Sequence, residues 1–341
     1  MADTTGTKRN IRKVLLIKTS SLGDIIHFLP CLRPIHDLYP DAEMSMLIQK
    51  ENAGLFRNNA DIDRFFFYEP LSAGNMSSLR NAVKLIKSLR QEQFDVVIDY
   101  QWLMRTSMIA FLSGAPERIG LQNWKEPSHL FYTRKVYVNH EHIHAVERNI
   151  HLAEALGARI EKVEFPLTID SSAQASVHNL LGDTVDYILL IPASRWKTKN
   201  WPEQHFASLI NKLNMTCVLT GGKGDRAIID RIKAASASAI NLCGKTDLQQ
   251  LTALIAGAKA VVSSDSGPMH IAAALDVPLV ALFGPTNPVK TGPYGWQTGN
   301  NMKVITSNAP CQPCFKRECS NPFCMKDISV DTVYDALKDL L

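Results

Sequence analysis

The sequence has no long hydrophobic run, no cationic block and no internal repeat. None of its apolar runs reaches the roughly 18–20 residues that a transmembrane helix needs, so we expect no membrane span. Residues 1–13 are polar and lack the apolar core of a signal peptide, which favours a cytoplasmic protein. The net charge is only +4, which argues against nucleic acid as a partner. A mildly basic surface still suits an anionic substrate or a membrane surface.

Cysteine is scarce outside one segment near the C-terminal end. Three of the seven cysteines are scattered in apolar contexts and are predicted to be buried thiols: Cys31, Cys217 and Cys243. The other four cluster at Cys311, Cys314, Cys319 and Cys324. Such a cluster is typical of a zinc or iron–sulfur site, and a cytosolic disulfide is less expected. Free thiols, a disulfide and a structural metal all stay open, and we predict no metal site.

Apolar strand-like runs alternate with helical patterns along the chain. The run AVVSSDSGPMHIAAALDVPLVALFGP, residues 260–285, is strand, turn, helix and strand with almost no polar residue in either strand. Strands this apolar are buried on both faces, which predicts a doubly wound parallel α/β sheet. The 341 residues exceed what one core usually supports.

We therefore predict two similar α/β domains with a cleft between them. The expected divisions are a disordered lead-in, an N-terminal acceptor-binding domain, a C-terminal nucleotide-sugar-binding domain and a final helix, at residues 1–13, 14–170, 186–328 and 329–341. The Ser/Ala-rich residues 158–185 are predicted to be the connection between the domains.

Polar turns follow several predicted strands. They are Ser20–Asp24, Ala193–Lys199, Gly221–Asp225 and Asp265–Gly267. Ligands of open α/β sheets bind at the carboxyl ends of the strands, so all four turns are expected to face one cleft. Pro268 suits the first turn of a helix, whose free N–H groups and dipole favour an anion. We therefore predict that Asp265–Gly267 holds the phosphates of a nucleotide.

Three strings carry a resemblance to a known family. They are KTSSLGDIIHFLP from Lys18, PASRWKTKNWPEQHF from Pro192, and residues 260–285 extended through Gly295. Together they resemble the ADP-heptose:lipopolysaccharide heptosyltransferases of glycosyltransferase family 9. A further pair of strings, KEPSHLFYTRK and HAVERN, looks most like heptosyltransferase I, whereas the cysteine-rich segment is similar to that of heptosyltransferase II.

The resemblance implies the GT-B fold, in which two Rossmann-like domains face a cleft. It implies an inverting, metal-independent transfer of heptose from ADP-heptose to the lipopolysaccharide inner core, onto Kdo or heptose, with no cofactor. The lipid-linked acceptor implies peripheral association with the inner face of the inner membrane. A family member with another nucleotide sugar or acceptor, and a sugar-nucleotide epimerase of the same fold, remain alternatives.

Two residues carry the chemistry that the resemblance implies. Asp24 corresponds to the family's general base, although an acid in the first turn of a helix also stabilises the helix dipole. Lys199 corresponds to a ligand of the donor diphosphate, although lysines are usually solvated and Lys197 could take the same role.

The remaining assignments are less specific. The donor site is predicted to include Ser194, Asp225, Thr246, Asp265, Ser266, Gly267 and His270, where His270 is equally compatible with a packed polar residue. The acceptor site is predicted to include Ser20, Ser21, Gly23, Arg105 and Arg148, since arginine forks match carboxylates and phosphates. Each arginine is also compatible with an ordinary surface charge.

Overall fold

The computed structural model describes residues 10–72, 75–123, 125–139, 141–236 and 238–341. The chain divides into two compact units, of which the first ends at Pro166 and the second begins at Leu167. Residues 1–9 of the predicted lead-in lie outside the described residues, and the first strand already begins at Lys13.

The first unit is built on a parallel sheet of six strands. They are β1 Lys13–Ile17, β2 Glu43–Ile48, β3 Arg64–Phe67, β4 Val96–Asp99, β5 Glu117–Leu121 and β6 Arg134–Val136. Their order across the sheet is β3-β2-β1-β4-β5-β6, and every neighbouring pair is parallel. Val14 to Ile17 of β1 are inaccessible to solvent, as expected for a central strand that is covered on both faces.

Helices join these strands. They are α1 Leu22–Phe28, α2 Leu32–Leu38, α3 Lys50–Ala53, α4 Met76–Glu92, α5 Met104–Leu112 and α6 Ala145–Leu156. Short 3₁₀ turns lie at Leu29–Cys31, Gly54–Phe56 and Pro127–Phe131. Helix α6 ends at Gly157, where φ is 107°, a left-handed conformation that glycine adopts without a Cβ penalty.

The second unit repeats this plan. Its strands are β7 Tyr187–Ile191, β8 Thr216–Leu219, β9 Ile240–Asn241, β10 Ala260–Ser264, β11 Leu279–Phe283 and β12 Met302–Thr306. All pairs are again parallel, in the order β12-β11-β10-β7-β8-β9. Numbered within its own unit, each sheet has the order 3-2-1-4-5-6 of the dinucleotide-binding fold. The predicted fold class of two Rossmann-like α/β units is therefore confirmed.

The helices of the second unit include one, α7, that lies where we predicted the connection between the domains. They are α7 Ser171–Leu181, α8 Glu203–Lys212, α9 Arg226–Ala235, α10 Leu248–Ala256, α11 Gly267–Ala274, α12 Pro288–Thr291, α13 Phe323–Asp327 and α14 Val330–Lys338, with 3₁₀ turns at Lys197–Lys199 and Lys223–Asp225.

The prediction that residues 158–185 only connect the domains is wrong, because α7 lies within them. The Asp170 side chain caps this helix by accepting from the Ser172 N–H at 2.9 Å. Ala173 and Val177, four residues apart, are buried on one face. The Ser/Ala-rich composition looked like a linker, but alanine is the strongest helix former and the capped helix packs as part of the second unit.

The C-terminal segment belongs to the core of the second unit. Cys324, Met325, Ile328, Val333 and Leu337 pack in the same buried cluster as residues of β7, β10 and β11. In the described part of the chain, no helix is both long enough and apolar enough to cross a membrane.

Candidate active site

Each sheet has one point at which the strand order reverses. It lies between β1 and β4 in the first unit and between β7 and β10 in the second. In open α/β sheets, ligands bind beyond the carboxyl ends of the strands at this switch point. Ser20–Asp24 follows β1, and Asp265–Gly267 follows β10, so both predicted turns lie at a switch point.

The turn after β1 is tied to the loop after β4 by one side chain. The Gln101 Oε1 atom accepts from the Thr19 N–H at 3.0 Å, the Thr19 hydroxyl at 3.1 Å and the Ser20 N–H at 3.1 Å. Since one oxygen holds three donors, the backbone at Thr19 and Ser20 is fixed relative to β4. The entry to α1 is thereby positioned.

Asp24 lies in the first turn of α1. Its Oδ2 atom accepts from the Ser21 N–H at 3.0 Å and from the Ser21 hydroxyl at 2.7 Å. This is the arrangement of an N-terminal cap, and the half-buried carboxylate also lies at the positive end of the helix dipole. Capping orients the carboxylate without burying it.

Two cations accompany Asp24. Lys18 donates from Nζ to the Tyr100 carbonyl oxygen at 2.8 Å, and burial lowers the pKa of Lys18 to about 8 although the charge of Asp24 raises it. Burial likewise lowers the pKa of Arg148, and Asp24 again opposes the shift. Lys18 Nζ lies 5.3 Å and Arg148 Cζ lies 5.7 Å from the centroid of the Trp102 ring. Asp24 is thus held in a locally cationic environment.

A buried carboxylate supports the loop that carries Gln101 and Trp102. Asp99 Oδ1 accepts from both of their N–H groups, at 2.8 and 3.1 Å. Its Oδ2 atom accepts from the hydroxyls of Thr106 and Tyr132, each at 2.8 Å. Burial raises the pKa of Asp99 to about 6 even though these hydrogen bonds lower it. Asp99 is inaccessible to solvent, so its role is to hold the loop.

The predicted acceptor residues fall into two places. Ser20, Ser21 and Gly23 share the turn with Asp24, and Arg148 reaches the same cationic group from α6. Arg105 is exposed in the first turn of α5 and lines an apolar groove formed with β3 and α4.

In the second unit, Lys199 and Asp265 form an ion pair. Lys199 Nζ lies 2.7 Å from Asp265 Oδ2, and the Thr286 hydroxyl donates to the same oxygen at 2.6 Å. The side chains of Lys199 and Asp265 are only 15% and 6% exposed. The pair is therefore shielded from solvent and fixes the ammonium group beside the turn after β10.

The loops after β7 and β10 are joined by further hydrogen bonds. The Ser194 hydroxyl donates to the Asp265 carbonyl oxygen at 2.8 Å, and the Ser194 N–H donates to Asn200 Oδ1 at 2.8 Å. The Ser264 hydroxyl donates to the Pro192 carbonyl oxygen at 3.1 Å. Ser194, Lys199 and Asp265 are thus brought together as predicted from their positions in the chain.

Ser266 and Gly267 begin helix α11. Ser266 is the N-cap residue, and its hydroxyl lies 3.2 Å from the Ser263 hydroxyl. Gly267 and Pro268 are the first two helical residues, so the N–H of Gly267 lies among the donors at the helix start. His270 is buried on the same helix, 6% exposed.

Asp225 and Thr246 lie in two adjoining loops at the same edge of the sheet. Asp225 Oδ2 accepts from the Gly222 N–H at 2.8 Å, which closes the loop after β8. The Gly244 N–H donates to the Gly221 carbonyl oxygen at 2.9 Å and joins the loop after β9 to it. Gly244 has φ of 67°. The loops that carry Asp225 and Thr246 are therefore joined beyond the carboxyl ends of β8 and β9.

The cysteine-rich segment packs beside the Lys199 turn. The Thr198 hydroxyl donates to the Lys316 carbonyl oxygen at 2.8 Å. The Trp196 ring lies beneath two cations, with Lys199 Nζ at 4.6 Å and Arg317 Cζ at 4.9 Å from its centroid. A segment that resembled a separate metal-binding module therefore contributes charge next to the predicted donor site.

None of the four clustered cysteines, all of them described, forms a disulfide in the structure. Cys324 is buried, and burial raises the pKa of its thiol, as do the nearby thiols Cys311, Cys314 and Cys319 to a smaller extent. Within the described ranges, no three cysteine, histidine or acidic side chains are arranged to hold a metal ion.

Several residues that shape the site were missed from the sequence. Gln101, Trp102 and Thr286 carry no motif of their own. Gln101 and Trp102 follow β4, a strand at the switch point, and that position is a usable signal, whereas Thr286 follows β11, beside β10. Arg317 gave no signal, because its proximity to Trp196 depends on how residues 311–324 fold back.

The comparisons with known proteins agree with this geometry. Residues 82–324 match the model of glycosyltransferase family 9 (heptosyltransferase). Lipopolysaccharide heptosyltransferase 1 of Pseudomonas aeruginosa is 30% identical over 325 residues, which cover 90% of this chain and 87% of that protein. Lipopolysaccharide heptosyltransferase 1 of Escherichia coli K12 is 30% identical over 301 residues, 83% and 91% of the two chains.

A solved structure extends the likeness to the fold. The heptosyltransferase WaaC of Escherichia coli, solved with ADP, superposes with a TM-score of 0.76 at 26% identity, over 96% of this chain and 100% of that one. Two Rossmann-like units, together with the family match and these relatives, identify a glycosyltransferase of the GT-B class. More particularly, the chain belongs to glycosyltransferase family 9, the heptosyltransferase family.

Proposed function

We propose that this enzyme transfers heptose from ADP-heptose to a hydroxyl of the lipopolysaccharide inner core, with inversion at the anomeric carbon and without a metal ion. Its relatives are named for lipopolysaccharide heptose transfer, and solved relatives carry ADP or a fluorinated ADP-heptose. The observation that carries the proposal is the pair of polar turns at the two switch points. One presents a capped carboxylate, and the other a fixed lysine.

Asp24 is the general base of the proposed reaction. The acceptor oxygen attacks the anomeric carbon, the Asp24 carboxylate takes the hydroxyl proton, and the bond from that carbon to the diphosphate oxygen breaks. ADP leaves with the electron pair of this bond. Because attack and departure occur on opposite sides, the configuration inverts. A positioned base of this kind contributes about 10²–10⁴-fold to rate.

Lys199 offsets the negative charge that grows on the departing diphosphate. Asp265 and Thr286 hold it in place, so little reorganisation is needed during the reaction. The N–H donors at the start of α11 face the same group. Ser194 orients this turn, whereas Asp225 and Thr246 are proposed to hold the adenosine. His270 is proposed to contact the phosphates or the sugar.

The acceptor is proposed to be a lipid-linked core sugar, either Kdo or a first heptose. Ser20, Ser21, Gly23 and Arg148 surround Asp24, and the cations Lys18 and Arg148 suit an anionic acceptor. A lipid-linked substrate would bring the enzyme to the inner face of the inner membrane.

A crossed donor and acceptor screen tests the proposal. The purified protein is offered ADP-heptose or another nucleotide sugar, each with a lipopolysaccharide truncated before the first heptose, truncated after it, or with no acceptor. We expect transfer only with ADP-heptose and one truncated acceptor, and an NMR spectrum that shows inversion. Turnover of the donor without acceptor would instead indicate an epimerase, and transfer from another nucleotide sugar would change the donor.

A further inference from the structure

Exposed large hydrophobic side chains are concentrated in one segment of the first unit, from the end of β3 to α5. More than half of the exposed large hydrophobic side chains in the described residues fall between residues 67 and 111. They come from the end of β3, from α4 and from α5. Scattered exposed hydrophobic residues need no explanation, but a contiguous patch usually marks an interaction surface.

Helix α4 is the centre of this segment. Only two of its 17 residues, Ser78 and Leu89, are buried. Met76, Leu79 and Val83 follow one another at intervals of three and four, so they share one stripe, and they are 70%, 49% and 61% exposed. The helix therefore leaves apolar surface uncovered that a soluble helix would normally bury.

A second stripe on α4 is cationic. Arg80, Lys84 and Lys87 are spaced by four and three residues and are exposed. Within the described residues, none of the three forms an ion pair, whereas Arg64 on β3 is paired with Glu92 at 2.6 Å. A cationic stripe beside an apolar stripe is the pattern of a helix that lies in the interface of an anionic membrane.

A groove of about 700 Å³ opens between α4, α5 and the end of β3. Phe67, Leu71 and Met108 are among the apolar side chains that line it, and Lys84 and Arg105 add positive charge. Tyr68 and Leu71 follow β3, so the groove reaches the carboxyl edge of the parallel sheet, the edge that also carries Asp24.

We propose that this α4 face, defined as the apolar and cationic stripes of α4 with the adjoining groove, binds the surface of a bilayer that contains anionic lipids. The headgroups pair with Arg80, Lys84 and Lys87, and acyl chains enter the groove. The charge complementarity favours a lipid surface over a second protein, because the cations form a continuous stripe beside the apolar one. We expect a bilayer as the partner because of the proposed function, but whether the α4 face binds vesicles can be measured independently of that function.

Co-sedimentation with lipid vesicles measures membrane binding directly and does not require the enzyme to turn over a substrate. The probes are phosphatidylcholine vesicles with and without phosphatidylglycerol, at low and high salt. We expect binding to the anionic vesicles that weakens with salt. The double variant Lys84→Ala/Lys87→Ala should bind about fivefold more weakly for each cation removed, and Val83→Asp should bind at least tenfold more weakly.

Matched substitutions on the second unit serve as controls. Val185→Asp changes a valine that is even more exposed than Val83, and Lys326→Ala/Lys338→Ala removes two exposed lysines. These variants should bind as the unaltered protein does. Thermal melting of every variant shows that the fold is retained.

Three results would overturn the proposal that the α4 face binds a membrane. The unaltered protein could ignore anionic vesicles, or the α4 variants could bind as well as the controls. Sedimentation could also reveal a dimer that Val83→Asp dissociates, which would make the face an interface between copies.

Transfer to a water-soluble, deacylated core saccharide separates the proposed function from the proposed membrane surface. Val83→Asp should leave that transfer unchanged. If the unaltered protein showed no transfer to this saccharide, that result would count against the proposed function and not against the membrane surface.

Discussion

Each unit has a strand, a polar turn and a helix at its switch point, and each turn carries an aspartate. Asp24 follows β1, the first strand of its unit, whereas Asp265 follows β10, the fourth strand of its unit. Asp24 in the first unit is half-buried, and its Oδ2 atom accepts from the N–H and the hydroxyl of Ser21. Asp265 in the second unit is 5% exposed and is bound to the ammonium group of Lys199. In the proposed reaction the first carboxylate serves as the base, whereas the second one binds and positions a cation.

The difference shows that a motif position does not decide a role. Both turns lie at a switch point, and the same strand order places them there. What separates them is the partner supplied by the neighbouring loop. In the first unit that loop supplies Gln101, which binds the backbone. In the second unit it supplies Lys199, which binds the carboxylate itself.

The largest expected effect separates the two aspartates directly. Asp24→Asn should lower kcat by about 10²–10⁴-fold, because the amide cannot take the acceptor proton. The affinity for ADP, measured by calorimetry, should stay close to that of the unaltered enzyme. Near-normal turnover would remove Asp24 from the mechanism and would leave the two turns without a functional difference.

The next effect concerns the donor side. Lys199→Ala should weaken ADP binding by about 10–100-fold, the range expected for a charge-assisted contact. Lys197→Ala, two residues away in the same 3₁₀ turn but exposed, is the matched control and should change it much less. If calorimetry gave the reverse order, Lys197 would be the phosphate ligand and the Lys199 pair would be purely structural.

The Asp265 pair should also be visible in stability. Asp265→Asn removes the partner of a largely buried cation and should lower the free energy of unfolding by about 3 kcal/mol. Asp186→Asn, which breaks the exposed pair with Lys259, should change it little. Urea denaturation measures both. Equal effects would mean that the Asp265 pair does not fix Lys199.

The smallest effect is a pH dependence from the first unit. The pKa of Lys18 is about 8, below its usual 10.5, so between these values the unfolded chain holds a proton that the folded protein has released. The free energy of unfolding should therefore rise with pH across this window, by about 1–3 kcal/mol, and the cost of burying the charge is fully present below pH 8.

Lys18→Met should lack this rise, whereas Lys338→Met, at an exposed position, should keep it. Urea denaturation from pH 7 to 10 gives the comparison. Parallel curves for the unaltered protein and Lys18→Met would show that Lys18 does not carry the shift.

Much of the fold could be predicted from local pattern. Runs such as YILLI at Tyr187–Ile191 are apolar on both faces, which only a covered parallel strand explains. Helix α10, Leu248–Ala256, also has a local signal, because Asp247 and Gln250 form a capping box at its start. Strand β12, Met302–Thr306, was missed by contrast, since it is mostly half-buried or exposed and Lys303 interrupts its apolar run.

The candidate site was predictable only in part, for a related reason. Asp24 and Lys199 belong to strings that resemble a family, so each could be recognised from the residues next to it in the sequence. The ion pair of Lys199 with Asp265 joins residues far apart in the chain, and the Arg317 contact with Trp196 needs the whole segment after β12 to fold back. Pairings of this kind follow from packing, which single-sequence periodicity does not contain.

The three-donor hydrogen bond of Gln101 has a consequence for amide exchange. The N–H groups of Thr19 and Ser20 are bound to a side chain, although β1 itself ends at Ile17. Their exchange with deuterium is therefore controlled by a single event, the release of one amide oxygen. The two amides should exchange together, and Gln101→Ala should speed both while leaving the amides within β1 protected. The exchange rates of these two amides therefore report how tightly the turn that carries Asp24 is held.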